Sequence, residues 1–497
     1  MQKFSDENFT IIPLKEEGLA LIREKNDFKE GDRLWQFKHL DNQLSEKKDV
    51  ELAINPRNHI IGYEYTQGLV SLLFRAGESN RSDILLWDIS LTDYGIQQYE
   101  IQPELNYQIT HFSRVGSHIV FGGYVNNEPA VLLYNTLDKQ MKVLPGFFQK
   151  DMELVDLRVN ANNTFNTVLI DRSVRDEGRL IFRTFDESGE QLLEDVVAIE
   201  KDRTLQVGIT SMLEREDLVL LGTWGIRNSK TSTGFFALVV NPFEEQSINF
   251  VSFGELSHFT DYMKTKRAER IKDKTRFELK EGRIPSYTAT VMPYRLAENK
   301  TGFLLLAEAY QSSSNLNNYP YSNPYGSPFY NPYWSGGFYP YSSRWYTSPY
   351  AYGNRPATRP TEDIRPYESV VACFDSQGKL LWDQSFSIEL ENKLPGVIQV
   401  SEFHYSGDEV VFMYKDESEI KSRTVPAGGG GEPMEEGVPV RLTEDLDEVR
   451  SEDKADGGVK HWYGDNHYFV WGYQTIRNNT KDDRVRNVFY INKITIE

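Results

Sequence analysis

Along most of the chain, apolar runs of strand length are cut at short intervals by polar turns, and one figure keeps returning. IIGYEYTQGLVSLLF (60–74), ITHFSRVGSHIVFGGY (109–124) and VSEFHYSGDEVVFMY (400–414) each set two apolar strands around a short polar turn. HWYGDNHYFVWGYQTI (461–476) repeats it, with Tyr463, Gly464 and Asp465 echoing Tyr405, Ser406, Gly407 and Asp408. Runs of this length, bounded by Gly, Asp and Ser, predict hairpins.

A second mark sits further along each unit. Phe374–Trp382 reads FDSQGKLLW and Phe185–Leu193 reads FDESGEQLL. In both, Asp closes an apolar strand and Gly follows three residues later. Asp bonds the local backbone and Gly takes the positive φ of a tight turn. Weaker copies fall at Asp41, Asp88, Asn135, Asn241 and Asn492. From 41 to 241 the steps are 47, 47, 51 and 55 residues. The next step, to Asp375, is 134; two foreign stretches, 254–283 (30 residues) and 311–367 (57 residues), account for the excess and leave 47. A mark near 422 continues the ruler, and 422 to 492 is one step carrying an acidic, Gly-rich insert.

Four short strands in roughly 47 residues, with no helices alternating between them, match the period of a β-propeller blade. The predicted fold is all-β: a propeller of eight four-stranded blades over 1–497, with one helical and one Tyr/Pro-rich insertion. Seven blades result if 396–497 forms a single blade. A pair of β-sandwiches is the competing architecture, but it does not require one period along the whole chain. On the hairpins at Asp186–Leu192 and Asp375–Leu381 the chain resembles WD40-like and quinoprotein-like β-propeller repeat proteins, notably bacterial ones of poorly characterised type. The regular Gly-His and Trp-Asp signature of WD40 repeats is missing; Trp87-Asp88 and Trp382-Asp383 occur at different places in their units. The tryptophan docking motifs of quinoprotein dehydrogenases are missing too. The resemblance implies a fold and no cofactor.

Blades are structurally interchangeable, so departures from the repeat are where function is expected. The first, 254–283, is rich in helix formers. Lys264–Arg283 holds nine basic and four acidic residues. It reads either as a solvated helix on the rim or as a docking element for an acidic or phosphate-bearing partner, with Lys266, Arg267 and Arg270 as candidate contacts. In the second, 311–367, the span from Tyr319 to Tyr352 carries ten of the 28 tyrosines, six prolines and one charge, Arg344. Prolines exclude a regular helix or strand, and the position inside a unit excludes a domain linker. A self-packed cap, a protein- or glycan-binding surface and a disordered loop all remain open. The candidate contacts are Tyr325, Phe329, Tyr330, Tyr333, Trp334, Phe338, Tyr339, Tyr341, Trp345 and Tyr346. The third, 426–459, is expected to be a Gly-rich, then acidic, flexible loop.

Composition narrows the chemistry. A net charge of −19 opposes general nucleic-acid binding, which needs a basic face. No apolar run approaches the roughly 18 residues of a membrane-crossing helix. The single cysteine, Cys373, excludes an intramolecular disulfide and lies in an apolar run, where a buried inert thiol is expected. None of the eight histidines forms a metal-ligand spacing; His111, His404 and His461 occupy similar places in their units and read as hydrogen-bonded turn residues. No P-loop, dinucleotide fingerprint or nucleophile elbow is present. A five-bladed-type glycosidase would place its carboxylates on separate blades, where no motif can reveal them. No catalytic residue, metal or cofactor is therefore assigned.

The expectation is a non-catalytic propeller scaffold that binds protein partners through its insertions, within an envelope-associated assembly. The alternative is a carbohydrate-binding or carbohydrate-processing propeller whose Tyr and Trp rings stack on sugars. If the chain is a mature form, an extracytoplasmic place in a bacterial periplasm or outer membrane is expected; the other possibility is cytoplasmic.

Overall fold

The structure, a computed structural model, describes residues 9–497 apart from 67, 78–80, 104, 161, 175–176, 211–217, 227–228, 230, 241–245, 301, 313–363, 391–393, 395–398, 430–432, 443–445 and 481–483. Among the described residues the strands build eight antiparallel sheets, seven of four strands and one of three, each a simple meander in chain order. The sheets span 10–54, 58–101, 107–143, 152–199, 203–252, 290–387, 401–439 and 448–495. These are the blades of a β-propeller, eight of them.

The ruler measured the third strand of each sheet. The marks at Asp41 and Asp186 directly follow the third strands Asp32–Leu40 and Glu177–Phe185. Asn135 and Asp375 end the third strands Glu128–Asn135 and Ile364–Asp375. Asp88 and Asn492 lie inside theirs, Ile84–Ser90 and Val485–Thr495, so neither is itself the turn residue. Asn241 lies outside the described residues. At Asp186 the carboxylate Oδ1 accepts the backbone N–H of Ser188 at 2.9 Å and of Glu190 at 2.8 Å. Gly189 supplies φ +77°. Asp375 does the same for Gln377 and Lys379, with Gly378 again at φ +77°. The turn chemistry is as expected.

The chain divides into two compact units. One comprises Met1–Pro56, Thr361–Ser369 and Gln384–Glu497; the other comprises Arg57–Pro360 and Val370–Asp383. In the second unit the apolar cores lie between consecutive sheets. Leu73 and Leu86 of the second sheet pack with Phe112 and Phe121 of the third. Val120 and Val131 of the third pack with Leu154 and Leu169 of the fourth. Val168 and Leu180 of the fourth pack with Leu205 and Phe236 of the fifth. Middle strands are thus covered on both faces and read as unbroken apolar runs, whereas fourth strands such as Gln191–Ile199 are mostly exposed. In the first unit, Met413 and Ile420 pack with Val459, Tyr468 and Val470, and the Trp462 indole N–H donates to the Gly18 carbonyl at 2.9 Å.

Two stretches that depart from the repeat lie next to the sixth sheet or inside it. The basic one forms the connection between the fifth and sixth sheets and contains the helix α1, Thr265–Lys280. The aromatic one separates the second strand of the sixth sheet, Gly302–Ser312, from the third, Ile364–Asp375; its ten candidate contact residues lie outside the described residues. The third expectation needs correction. Within 426–459 lie two strands, Met434–Pro439 and Glu448–Tyr463. The first pairs along Glu419–Thr424 and every one of its residues is exposed. An outer strand with no buried residue needs no apolar face, so its Gly and Glu content imitates a loop. The acidic stretch is not wholly solvated either: Glu452 is a buried ion-pair partner of Lys415 and accepts the Tyr490 hydroxyl at 2.7 Å.

Candidate functional site

Two constellations in the second unit combine charge with an organised setting. The first is on the first strands of its sheets. Asn58–Thr66, Tyr107–Val115, Met152–Val159, Arg203–Thr210 and Thr290–Asn299 each carry a β-bulge against the neighbouring second strand. A bulge re-aims the side chains around it. Polar groups follow. Glu64 accepts the Ser113 hydroxyl at 2.6 Å, from one first strand to the next. Asp156 accepts the Thr210 hydroxyl at 2.6 Å in the same way. Asp88, on a third strand, accepts Ser71 Oγ at 2.6 Å and is ion-paired with Arg114. Burial pushes the Glu64 carboxyl up to about 7 and that of Asp156 up to about 6, and brings the Arg158 guanidinium down to about 10. All three are buried, and each carboxylate is tied to the adjacent first strand. No local motif marks this ladder, because the two partners of each bond between first strands come from neighbouring repeats.

In the first unit two of the histidines hydrogen-bond turn carbonyls. His404 Nδ1 donates to the Asp465 carbonyl at 3.0 Å, and His461 Nε2 lies 2.6 Å from the Gly464 carbonyl of the same turn. His111, in the second unit, is buried in mid-strand beside Thr110, with Nδ1 2.8 Å from its hydroxyl, and burial pushes it down to about 4. Among the described residues no group of three or more His, Cys, Asp or Glu side chains could hold a metal ion.

The second constellation is α1 and its approach. The helix turns Ala268, Thr275 and Glu278 inward. Thr275 packs so tightly on Gly254 that a Cβ there would come within 2.1 Å of its hydroxyl. The Glu278 carboxylate accepts the Ser286 N–H at 2.8 Å and so anchors the exit. The entry is held by Asp383, which accepts the backbone N–H groups of Ser257 and His258, both at 2.7 Å. This is the aspartate of the second Trp-Asp pair, a signal visible in the sequence but without an evident partner there. On the outer side Lys266, Arg267 and Arg270 are exposed, and among the described residues no ion pair or hydrogen bond holds their side chains. Arg276, by contrast, pairs with Asp273 at 3.0 Å. The helix starts without a side-chain cap and with no acidic residue in its first turn. Lys266 and Arg267 therefore stand at the positive end of the helix dipole, where cations are disfavoured. Among the described residues no helix is long and apolar enough to cross a membrane.

No family model matches the chain, and no curated protein matches it. Solved structures do resemble it. The propeller domain of the Trilobed protease from Pyrococcus furiosus aligns with 89% of this chain and 96% of its own length, at 9% identity and a TM-score of 0.35. A prolyl endopeptidase aligns with 96% of this chain and 54% of its own, at 9% identity and a TM-score of 0.41. The acylaminoacyl peptidase of Pyrococcus horikoshii aligns with 86% of this chain and 52% of its own, at 9% identity and a TM-score of 0.30. The chain thus spans about half the length of these last two peptidases. The likeness is one of fold.

These neighbours correct the expected function. The expectation of a non-catalytic scaffold does not stand: the similar structures are mostly peptidase propeller domains at very low identity, and what they share with this chain is the fold, with no specific function shown. The propeller alone does not show catalysis.

Proposed function

We propose that α1 is an anion-recognition element, through which the protein binds a ligand carrying several closely spaced carboxylates or phosphates. The observation that carries this reading is the exposed, unpaired trio Lys266, Arg267 and Arg270 in a chain of net charge −19. Two features support it. Lys266 and Arg267 occupy the helix end where cations cost stability, and a local rule broken without structural gain points to function. The connector is also fixed at both ends, by Asp383 and by Glu278, so the cations are presented on an anchored element.

Titration of the full chain with hexaglutamate and with an inositol polyphosphate, followed by calorimetry at low and moderate salt, tests the reading. Binding should weaken as salt rises. The charge reversal Lys266→Glu with Arg267→Glu and Arg270→Glu should abolish it while leaving the circular dichroism spectrum unchanged. Equal binding by the reversed variant removes the proposal.

A further inference from the structure

The outer face of α1 is not purely polar. At 3.6 residues per turn, Lys266, Arg270, Phe277 and Lys280 fall on one side of the helix, opposite Ala268 and Thr275. Phe277 is 56% exposed at the middle of this cationic face, with the Arg283 guanidinium 5.4 Å from its ring centroid. Beyond this cation–π contact, the ring stays more than half open to solvent. The inner face is small and buried, so Phe277 is no overflow from an apolar stripe. A convex helix of 16 residues, about 24 Å long, offers no groove to grip an extended peptide. It does offer Lys266, Arg270 and Lys280 to a flat anionic surface, with Asp273 of the same face already paired to Arg276, and one ring able to enter the boundary between headgroups and acyl chains.

Resting on the anion-recognition reading above, we infer that α1 seats the protein on an anionic lipid surface, with Lys266, Arg267 and Arg270 on lipid phosphates and carboxylates and Phe277 inserted among the headgroups. The acidic remainder does not forbid this. At physiological salt, charges more than about 8 Å from the surface are largely screened. The contact is peripheral and reversible, since one ring and a few cations fall far short of a spanning segment.

Co-sedimentation of the full chain with vesicles of phosphatidylcholine alone, and of phosphatidylcholine with phosphatidylserine, tests the inference alongside hexaglutamate titration. The protein should sediment only with the serine lipid, and salt should release it. Phe277→Ala should lower vesicle partition several-fold and leave hexaglutamate binding unchanged. Lys266→Glu with Arg270→Glu should lower both, with vesicle partition falling by about 25-fold or more at about fivefold per charge. Binding to hexaglutamate but not to serine-lipid vesicles overturns the lipid assignment and leaves the anion reading in place. Binding to neither overturns both. Vesicle binding indifferent to Phe277→Ala overturns the insertion of the ring.

Discussion

Single residues show how closely the turn chemistry follows from composition. The tight turn after a third strand needs one backbone position at positive φ, and Gly189 and Gly378 fill it in the fourth and sixth sheets. Lys139 fills it in the third sheet at φ +60°, where its exposed side chain has no compensating packing. A non-glycine residue is strained there by about 1–2 kcal/mol. Gly189→Ala should therefore destabilise by about 1–2 kcal/mol, the more so because the new Cβ would lie 2.5 Å from Leu144 Cδ2. Lys139→Gly should stabilise by about 0.5–1 kcal/mol, allowing for the extra freedom glycine gives the unfolded chain. Urea midpoints of the two variants check both signs. The buried ladder makes a pH prediction. Glu64 is raised from 4.5 to about 7, chiefly by burial, so the fold favours its neutral acid. Its contribution is complete below the unfolded value and is lost as pH rises through about 7. Glu64→Gln should thus match the parent near pH 4 and exceed it at pH 8, by up to roughly 3 kcal/mol. Parallel denaturation at the two pH values decides it; a variant less stable at both would mean that the carboxylate is needed charged.

Elements were legible wherever their residues repeat. The two-strand openings and the third-strand marks were visible because middle strands are buried on both faces and read as apolar runs. The exposed strand Met434–Pro439 was not, since an outer strand can be built from almost any polar sequence. The connector helix was legible from its helix formers, but its anchorage was not: Asp383 stands 126 residues from Ser257. Asp383→Ala should free two backbone N–H groups and cost about 1–3 kcal/mol. Hydrogen exchange should rise over 253–264 while the sheet amides keep their protection. An even rise across the sheets would show that the aspartate supports the blade itself. The aromatic insertion gives a complementary case. Its flanking strands are consecutive in the sixth sheet, so excising 315–355 and joining Ser314 to Pro356 through a short Gly-Ser linker should leave the melting temperature within a few degrees, because shortening a loop changes closure entropy little. Unfolding of the excised protein would place those rings in the core.

At the scale of the whole molecule, the lone thiol reports on opening. Cys373 is fully buried in the third strand of the sixth sheet, so a thiol reagent should label none of it in the native protein and one equivalent after denaturation. Labelling of the native protein at the rate of a small-molecule thiol would show that this strand is accessible without unfolding. The same scale marks the limit of sequence reading. By itself the sequence determined the all-β class, the blade period, the Asp-Gly turns at Asp186 and Asp375 and the presence of a helix between two blades. All of these follow from local pattern and backbone geometry, which act over a few residues. The tertiary structure alone decided which polar groups meet: Glu64 with Ser113, Asp156 with Thr210, Asp383 with the approach to α1. It also decided that Lys266, Arg267 and Arg270 stay exposed and unpaired while Arg276 does not. Partners drawn from different repeats carry no common spacing, and the ionisation of a buried carboxylate depends on how far packing removes it from water, which no linear pattern records.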